Sequence, residues 1–127
     1  FQRTTRRVSL TEAGRALAQW WAGRAEVVQV LHPALPGSPG HEHWRAGCSA
    51  AAGLFSVVFD ARFTTAQVDA FIDALRLFRI GYSWAGPVSL VVPCDLGVIR
   101  PDSTWCGTLV RYSLSLEEVD ELQDDLA

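Results

Sequence analysis

The chain has 127 residues, 49% of them apolar and 20% charged, with a formal net charge of −3. That composition excludes a disordered tail, and no apolar run approaches the ~18 residues of a membrane span. Lysine is absent and all eleven basic residues are arginine, so this chain offers no side-chain amine for a Schiff base and no P-loop lysine.

The opening residues Phe1–Arg7 lack the hydrophobic stretch of a signal peptide. Methionine is absent too, from which we expect a fragment, a processed product or an excised domain. Arg3, Arg6 and Arg7 make this start basic and extended. Ser9 and Glu12 then have capping-box spacing, which predicts a helix from about Thr11 to Gly23 with Ala13, Leu17, Trp20 and Trp21 on its apolar face. Val27–Leu31 is β-branched and ends before Pro33, a short strand. Residues 33–53 read as a loop rich in proline and glycine.

A strand is expected again over Leu54–Phe59. Thr64 or Thr65 then caps a helix whose Val68, Phe71, Ile72, Leu75 and Phe78 recur at helical spacing. Gly81–Pro87 is a tight, aromatic turn. Ser89–Pro93 and Thr108–Leu114 read as strands, and a closing acidic helix starts near Ser115 with Leu116, Val119, Leu122 and Leu126 inward. Roughly three helices and four strands, without regular βαβ alternation, give an α+β fold: a small, mainly antiparallel sheet with helices on one face.

Arg111 interrupts the apolar strand at 108–114. Two readings are open: a solvent-facing strand residue, or a guanidinium fork that grips a carboxylate. Ser83 and Trp84 sit in the aromatic turn, where a Trp either lines a pocket or covers one end of the core. His41, His43 and Cys48 fall short of a zinc set, having no fourth ligand at recognisable spacing. Cys48, Cys94 and Cys106 form no Cys-x-x-Cys pair and are expected as reduced thiols of a cytoplasmic protein. The run Glu117–Glu121 reads as a solvated helix face, and Asp124 and Asp125 gain nothing from the helix dipole. Three arginines at the start would hold DNA weakly and without sequence preference, so specific DNA binding is not expected.

Several stretches carry a family resemblance: Val30–Ser38, Gly40–Trp44, Gly53–Ser56, Leu77-Phe78, Tyr82–Gly86, Ser89-Leu90, Gly107–Arg111 and Leu116–Leu122. Together, from about Leu17 to Leu126, they resemble the C-terminal domain of the bacterial cystathionine β-lyases, within the pyridoxal-phosphate-dependent Cys/Met metabolism enzymes of fold type I. Residues 1–14 resemble instead a LysR-type winged-helix segment. The implied division is 1–14 and 15–127, as if two unrelated coding segments had been joined.

The lyase resemblance implies a partner that lies upstream: an N-terminal domain that holds pyridoxal phosphate through its own lysine. It implies that Arg111 clamps the α-carboxylate of a small amino-acid substrate and that Ser83 and Trp84 line the same site. No catalytic, cofactor-binding or metal-binding residue is implied for this chain. The complete enzyme would be a homo-oligomer that cleaves L-cystathionine to homocysteine, pyruvate and ammonia in methionine biosynthesis. Trp20, Trp21 and Trp84 are candidates for the apolar surface onto which the cofactor domain docks. The chain departs from the family at Ala85–Val88 and at Ser115, which stands for a usual Gly and is expected to alter only local backbone geometry. Two other readings are a fragment of a LysR-type regulator, resting on residues 1–14 alone, and a folded but inactive remnant.

Overall fold

The computed structural model describes the backbone from Thr5 and the side chains from Glu12 to Ala127. Helix α1 spans Thr5–Ala22, starting at Thr5 rather than near Thr11. It runs through Ser9, so no helix begins at the expected capping box, and it crosses the expected boundary between residues 14 and 15. Nothing from Thr5 to Thr11 is a glycine or proline that would break it. Arg3 and the side chains of Arg6, Arg7 and Ser9 lie outside the described residues. Gly14 lets α1 approach the chain at residues 52–53, since a Cβ there would stand 2.7 Å from the Gly53 Cα and 2.9 Å from the Ala52 carbonyl.

Strand β1 (Val27–Leu31) follows as expected. The expected loop at 33–53 contains helix α2 (His41–Gly47). This helix buries none of its residues, so no apolar periodicity marks it in the sequence. Strand β2 covers Leu54–Phe59 and helix α3 covers Thr65–Asp73. Thr64 caps α3 reciprocally: its hydroxyl accepts from the Gln67 N–H and the Gln67 side chain accepts from the Thr64 N–H. Because α3 stops at Asp73, Leu75 and Phe78 of the expected stripe lie past its end, although Phe78 is still buried.

The remaining elements are β3 (Arg79–Ile80), β4 (Leu90–Asp95), α4 (Leu96–Ile99), β5 (Thr108–Ser113) and α5 (Val119–Leu126). The last helix starts at Val119, not Ser115. Leu122 and Leu126 are inward, whereas Leu116 precedes the helix and is 54% exposed. The expected sheet gains β3 and the expected helices gain α2 and α4.

The strands form one sheet in the order β1-β2-β5-β4-β3, antiparallel except for the parallel pair β3 and β4. Pro93 sits within β4 at no cost to the ladder. The carbonyls of Ser89 and Val91 face β3 and accept from Arg79 and Gly81, so by alternation the missing N–H of Pro93 falls on that same edge, beyond the end of β3.

Alternation divides the sheet residues between two faces. Val30, Phe55, Val57, Val91, Val110 and Tyr112 meet Leu17, Ala18 and Trp21 of α1, Val68 and Ile72 of α3, and Leu122 and Leu126 of α5 in one core. The three longer helices therefore cover one face, the mainly antiparallel α+β arrangement read from the sequence. Trp21 is only 3% exposed and belongs to this core, which removes it from the candidate docking surface, and Trp20 packs against it. Asp125 joins the C-terminal helix to the exit of α3, its carboxylate accepting from the N–H groups of Arg76 and Leu77 at 2.9 Å. It is a tether, a role separate from the helix dipole, from which no gain is expected for it.

The opposite face carries a smaller cluster of Val58, Leu96 and Leu109, with Leu31, Cys94 and Trp105 around it. Only the one-turn helix α4 lies there among the helices of the described core.

Candidate functional site

Arg111 lies on this second face. Its partners across the sheet are Ser56 on β2 and Val92 on β4, and its neighbour Tyr112 points the other way into the core. It is partly buried rather than projecting freely. Two fixed strands flank it, so its Cα cannot drift, and only the side chain selects where the charge goes.

The segment between β3 and β4 folds over that charge. Arg111 Nη2 donates to the carbonyl of Tyr82 at 2.5 Å and to that of Ser83 at 3.3 Å. The guanidinium carbon stands 5.7 Å from the centre of the Trp84 ring, a cation–π contact. The structure thus brings Arg111, Ser83 and Trp84 together, although they lie far apart in sequence. Ser83 contributes its carbonyl, and its side chain is exposed. Trp84 is 59% exposed, so it does not cap the core.

Among the described residues Arg111 has no carboxylate within salt-bridge distance, and its hydrogen bonds all leave from Nη2. A carbonyl carries a dipole but no charge, so the guanidinium remains uncompensated with its Nε and Nη1 donors unused. That is the electrostatic condition for receiving an external anion.

The turn itself is held in ways the sequence did not reveal. Ala85 adopts φ 59°, a left-handed conformation uncommon for a residue with a side chain. The Ser115 hydroxyl donates to the Gly86 carbonyl at 2.5 Å. Ser115 therefore does more than adjust local geometry. Ser89, fully buried, accepts from the Ser115 N–H at 2.9 Å and donates its hydroxyl to Glu117 at 2.6 Å. The Ser89 N–H donates to the other oxygen of the same carboxylate at 3.0 Å. Burial pushes the Glu117 carboxyl up, but the Ser89 donors and further backbone donors outweigh it, so it titrates below its ordinary range. Glu117 precedes α5 and is not part of a solvated helix face, as its place in an acidic run suggested.

The histidine-rich segment is occupied otherwise. His41 Nδ1 bonds to the Pro33 carbonyl at 2.8 Å and its ring stacks on Trp44. Among the described residues no group of three His, Cys, Asp or Glu side chains is placed to hold a metal ion. The three cysteines are free, with Cys48 and Cys106 exposed. No helix among the described residues is long and apolar enough to cross a membrane.

The fold and the site define an α+β domain that presents an uncompensated arginine beneath an aromatic turn on an open sheet face. Comparison with known proteins places that domain. Residues 4–127 match the family described as Cys/Met metabolism PLP-dependent enzyme. The chain belongs to that family. It is 41% identical over 121 residues to cystathionine β-lyase of Salmonella typhimurium, covering 91% of this chain and 31% of the relative. It is 38% identical over 120 residues to cystathionine β-lyase MetC of Escherichia coli, covering 91% of this chain and 30% of the relative. Among solved structures, cystathionine γ-synthase from Xanthomonas oryzae pv. oryzae, in complex with aminoacrylate and cysteine, superposes with a TM-score of 0.80 at 27% identity. That alignment covers 95% of this chain and 33% of the other. The chain spans about a third of the length of the curated relatives it matches.

The family is named for pyridoxal phosphate, and the residues of this chain do not fit a covalent hold on that cofactor. There is no lysine to meet its aldehyde.

Proposed function

We propose that the chain is the substrate-facing C-terminal domain of a carbon–sulfur lyase of the cystathionine β-lyase type. Its part in the reaction is to bind and orient the amino-acid substrate. Arg111 receives the α-carboxylate on its free donors, while the backbone of Tyr82 and Ser83 holds the guanidinium plane and Trp84 walls the site. A guanidinium held on a rigid strand fixes the carboxylate in turn, which sets the direction of the bonds at the substrate's Cα. The complete enzyme would convert L-cystathionine to homocysteine, pyruvate and ammonia. The cofactor and the catalytic amine would come from an N-terminal domain, as part of a cytoplasmic homo-oligomer.

The observation that carries this reading is the charge of Arg111, partly buried and without a carboxylate partner among the described residues. Exposed apolar groups fit docking of a second domain: Tyr82, Trp84 and Val88 on the turn, and Val98 and Ile99 on α4. The division at residues 14 and 15 is retained as a proposal about ancestry rather than folding, because α1 crosses it.

The test joins this chain to the cofactor domain of a cystathionine β-lyase and measures pyruvate release. Arg111→Ala should lower kcat/KM while leaving cofactor absorbance unchanged. Losing a charge-assisted paired contact costs roughly 2–5 kcal/mol, or about 30- to several-thousand-fold in rate. Arg111→Lys should recover part of the loss, because it keeps the charge without the planar guanidinium that the turn carbonyls orient. Near-wild-type kcat/KM for Arg111→Ala would remove the carboxylate assignment.

A further inference from the structure

The turn that grips Arg111 is fastened at both ends, and the two fastenings differ in kind. On the side of β3 it is held by backbone pairing, with Gly81 N–H donating to the Val91 carbonyl. On the side of β4 it is held by side chains: Ser115 on the Gly86 carbonyl, Ser89 under Ser115, and Glu117 on both donors of Ser89. Between the fastenings, residues 82–88 are exposed and include Ala85 in its left-handed conformation. An exposed turn with a residue in that region persists only if its surroundings over-determine it. The carbonyls that orient Arg111 belong to this span.

We propose that Glu117, acting through Ser89 and Ser115, is a positioning residue for the carboxylate site: it locks the 82–88 turn and thereby sets the direction of the Arg111 guanidinium. Glu117 touches neither substrate nor Arg111. Its two carboxylate oxygens take the two donors of one buried serine, so its removal leaves a buried N–H and hydroxyl without acceptors. The Ser115 N–H then rests on a serine whose own hydroxyl is no longer directed, and the Ser115 hydroxyl is the last hold on Gly86. The strand beneath Arg111 does not depend on this chain of bonds. Releasing the turn should therefore move the charge without unfolding the sheet.

This inference rests on reading Arg111 as the carboxylate site, and its test separates the two. In the full chain, backbone order parameters are followed over residues 82–88, whose exposed N–H groups donate no hydrogen bond among the described residues, and hydrogen exchange over β2 and α3. Glu117→Ala should lower the order parameters of the turn from the rigid value of about 0.85 to below about 0.6, and Ser115→Ala should lower them by a smaller step, with exchange in β2 and α3 unchanged. Glu117→Gln, which keeps one acceptor for the Ser89 N–H, should restore much of the order. In the joined enzyme, Glu117→Ala should raise KM for the substrate more than it lowers kcat. Added to Arg111→Ala it should cost much less than it does alone, because most of its effect passes through that residue. Unchanged order parameters over 82–88 in folded Glu117→Ala or Ser115→Ala chain overturn the proposal, as does full additivity of Glu117→Ala with a damaging Arg111→Ala. If Arg111→Ala alone is harmless, the carboxylate reading fails instead, and the order parameters still decide whether Glu117 locks the turn.

Discussion

Strand β5 sends consecutive residues to opposite faces of one sheet, and the two faces obey different rules. Tyr112 lies fully buried among Trp21, Phe55 and Phe78, with ring centres 5.8, 5.4 and 5.3 Å away. Arg111 stands one residue earlier, on the face that the three longer helices leave open. The covered face tolerates polar atoms without partners: the Tyr112 hydroxyl and the Trp21 Nε1 have no hydrogen bond among the described residues. Burial pushes the Tyr112 phenol far up, so it stays neutral. On the open face each Nη2 bond of Arg111 has a named acceptor, and the remaining donors are left for a ligand. Packing is the task of one side and recognition the task of the other, and a single strand supplies both because its side-chain period is two.

The contrast is broken most forcefully at Tyr112. Tyr112→Ala should destabilise the chain by about 3–5 kcal/mol, the cost of emptying an aromatic-sized space in a packed core. Arg111→Ala should cost about 1 kcal/mol or less, since it removes hydrogen bonds to carbonyls that water can replace. Denaturant melts of the two variants check this, and equal losses would erase the distinction between the faces.

A smaller effect probes His32, which is fully buried with its Nδ1 accepting from the Ala34 N–H at 3.2 Å. Burial is the largest influence on its ring and pushes its pKa below the ordinary 6.5. The unfolded chain thus takes up a proton that the folded chain resists. Stability from this site is present above pH 6.5 and is lost as pH falls below it, at no more than about 1.4 kcal/mol per pH unit. His32→Asn, whose side-chain oxygen can still accept from Ala34, should flatten that dependence in melts between pH 7 and 5. The smallest change expected is at the Tyr112 hydroxyl. Tyr112→Phe should leave stability within about 1 kcal/mol of the parent or raise it, because the group removed has no partner.

Much of the fold was legible because its signals are local. Thr64, one of two neighbouring threonines expected to cap, announced the start of α3, and the runs at 27–31 and 54–59 announced their strands. Helix α2 was illegible because it buries nothing, and β3 because two exposed residues carry no period. The site divides in the same way. Arg111 stood out as a charge in an apolar strand, and Ser83 and Trp84 stood out in an aromatic turn. Glu117 and Asp125 were hidden within an acidic run, where each looked like its solvated neighbours. Their partners, Ser89 and the N–H groups of Arg76 and Leu77, are 28, 49 and 48 residues away, and only the folded chain brings them together.

The central claim is that the open face recognises an α-carboxylate through Arg111. Its most direct test compares L-cystathionine with its α-carboxamide, in the joined enzyme and in Arg111→Ala, by kcat/KM. The parent should favour the carboxylate by about 30-fold or more, the worth of a charge-assisted pair, and Arg111→Ala should lose most of that preference. A preference that survives Arg111→Ala undiminished would place carboxylate recognition elsewhere and contradict the account.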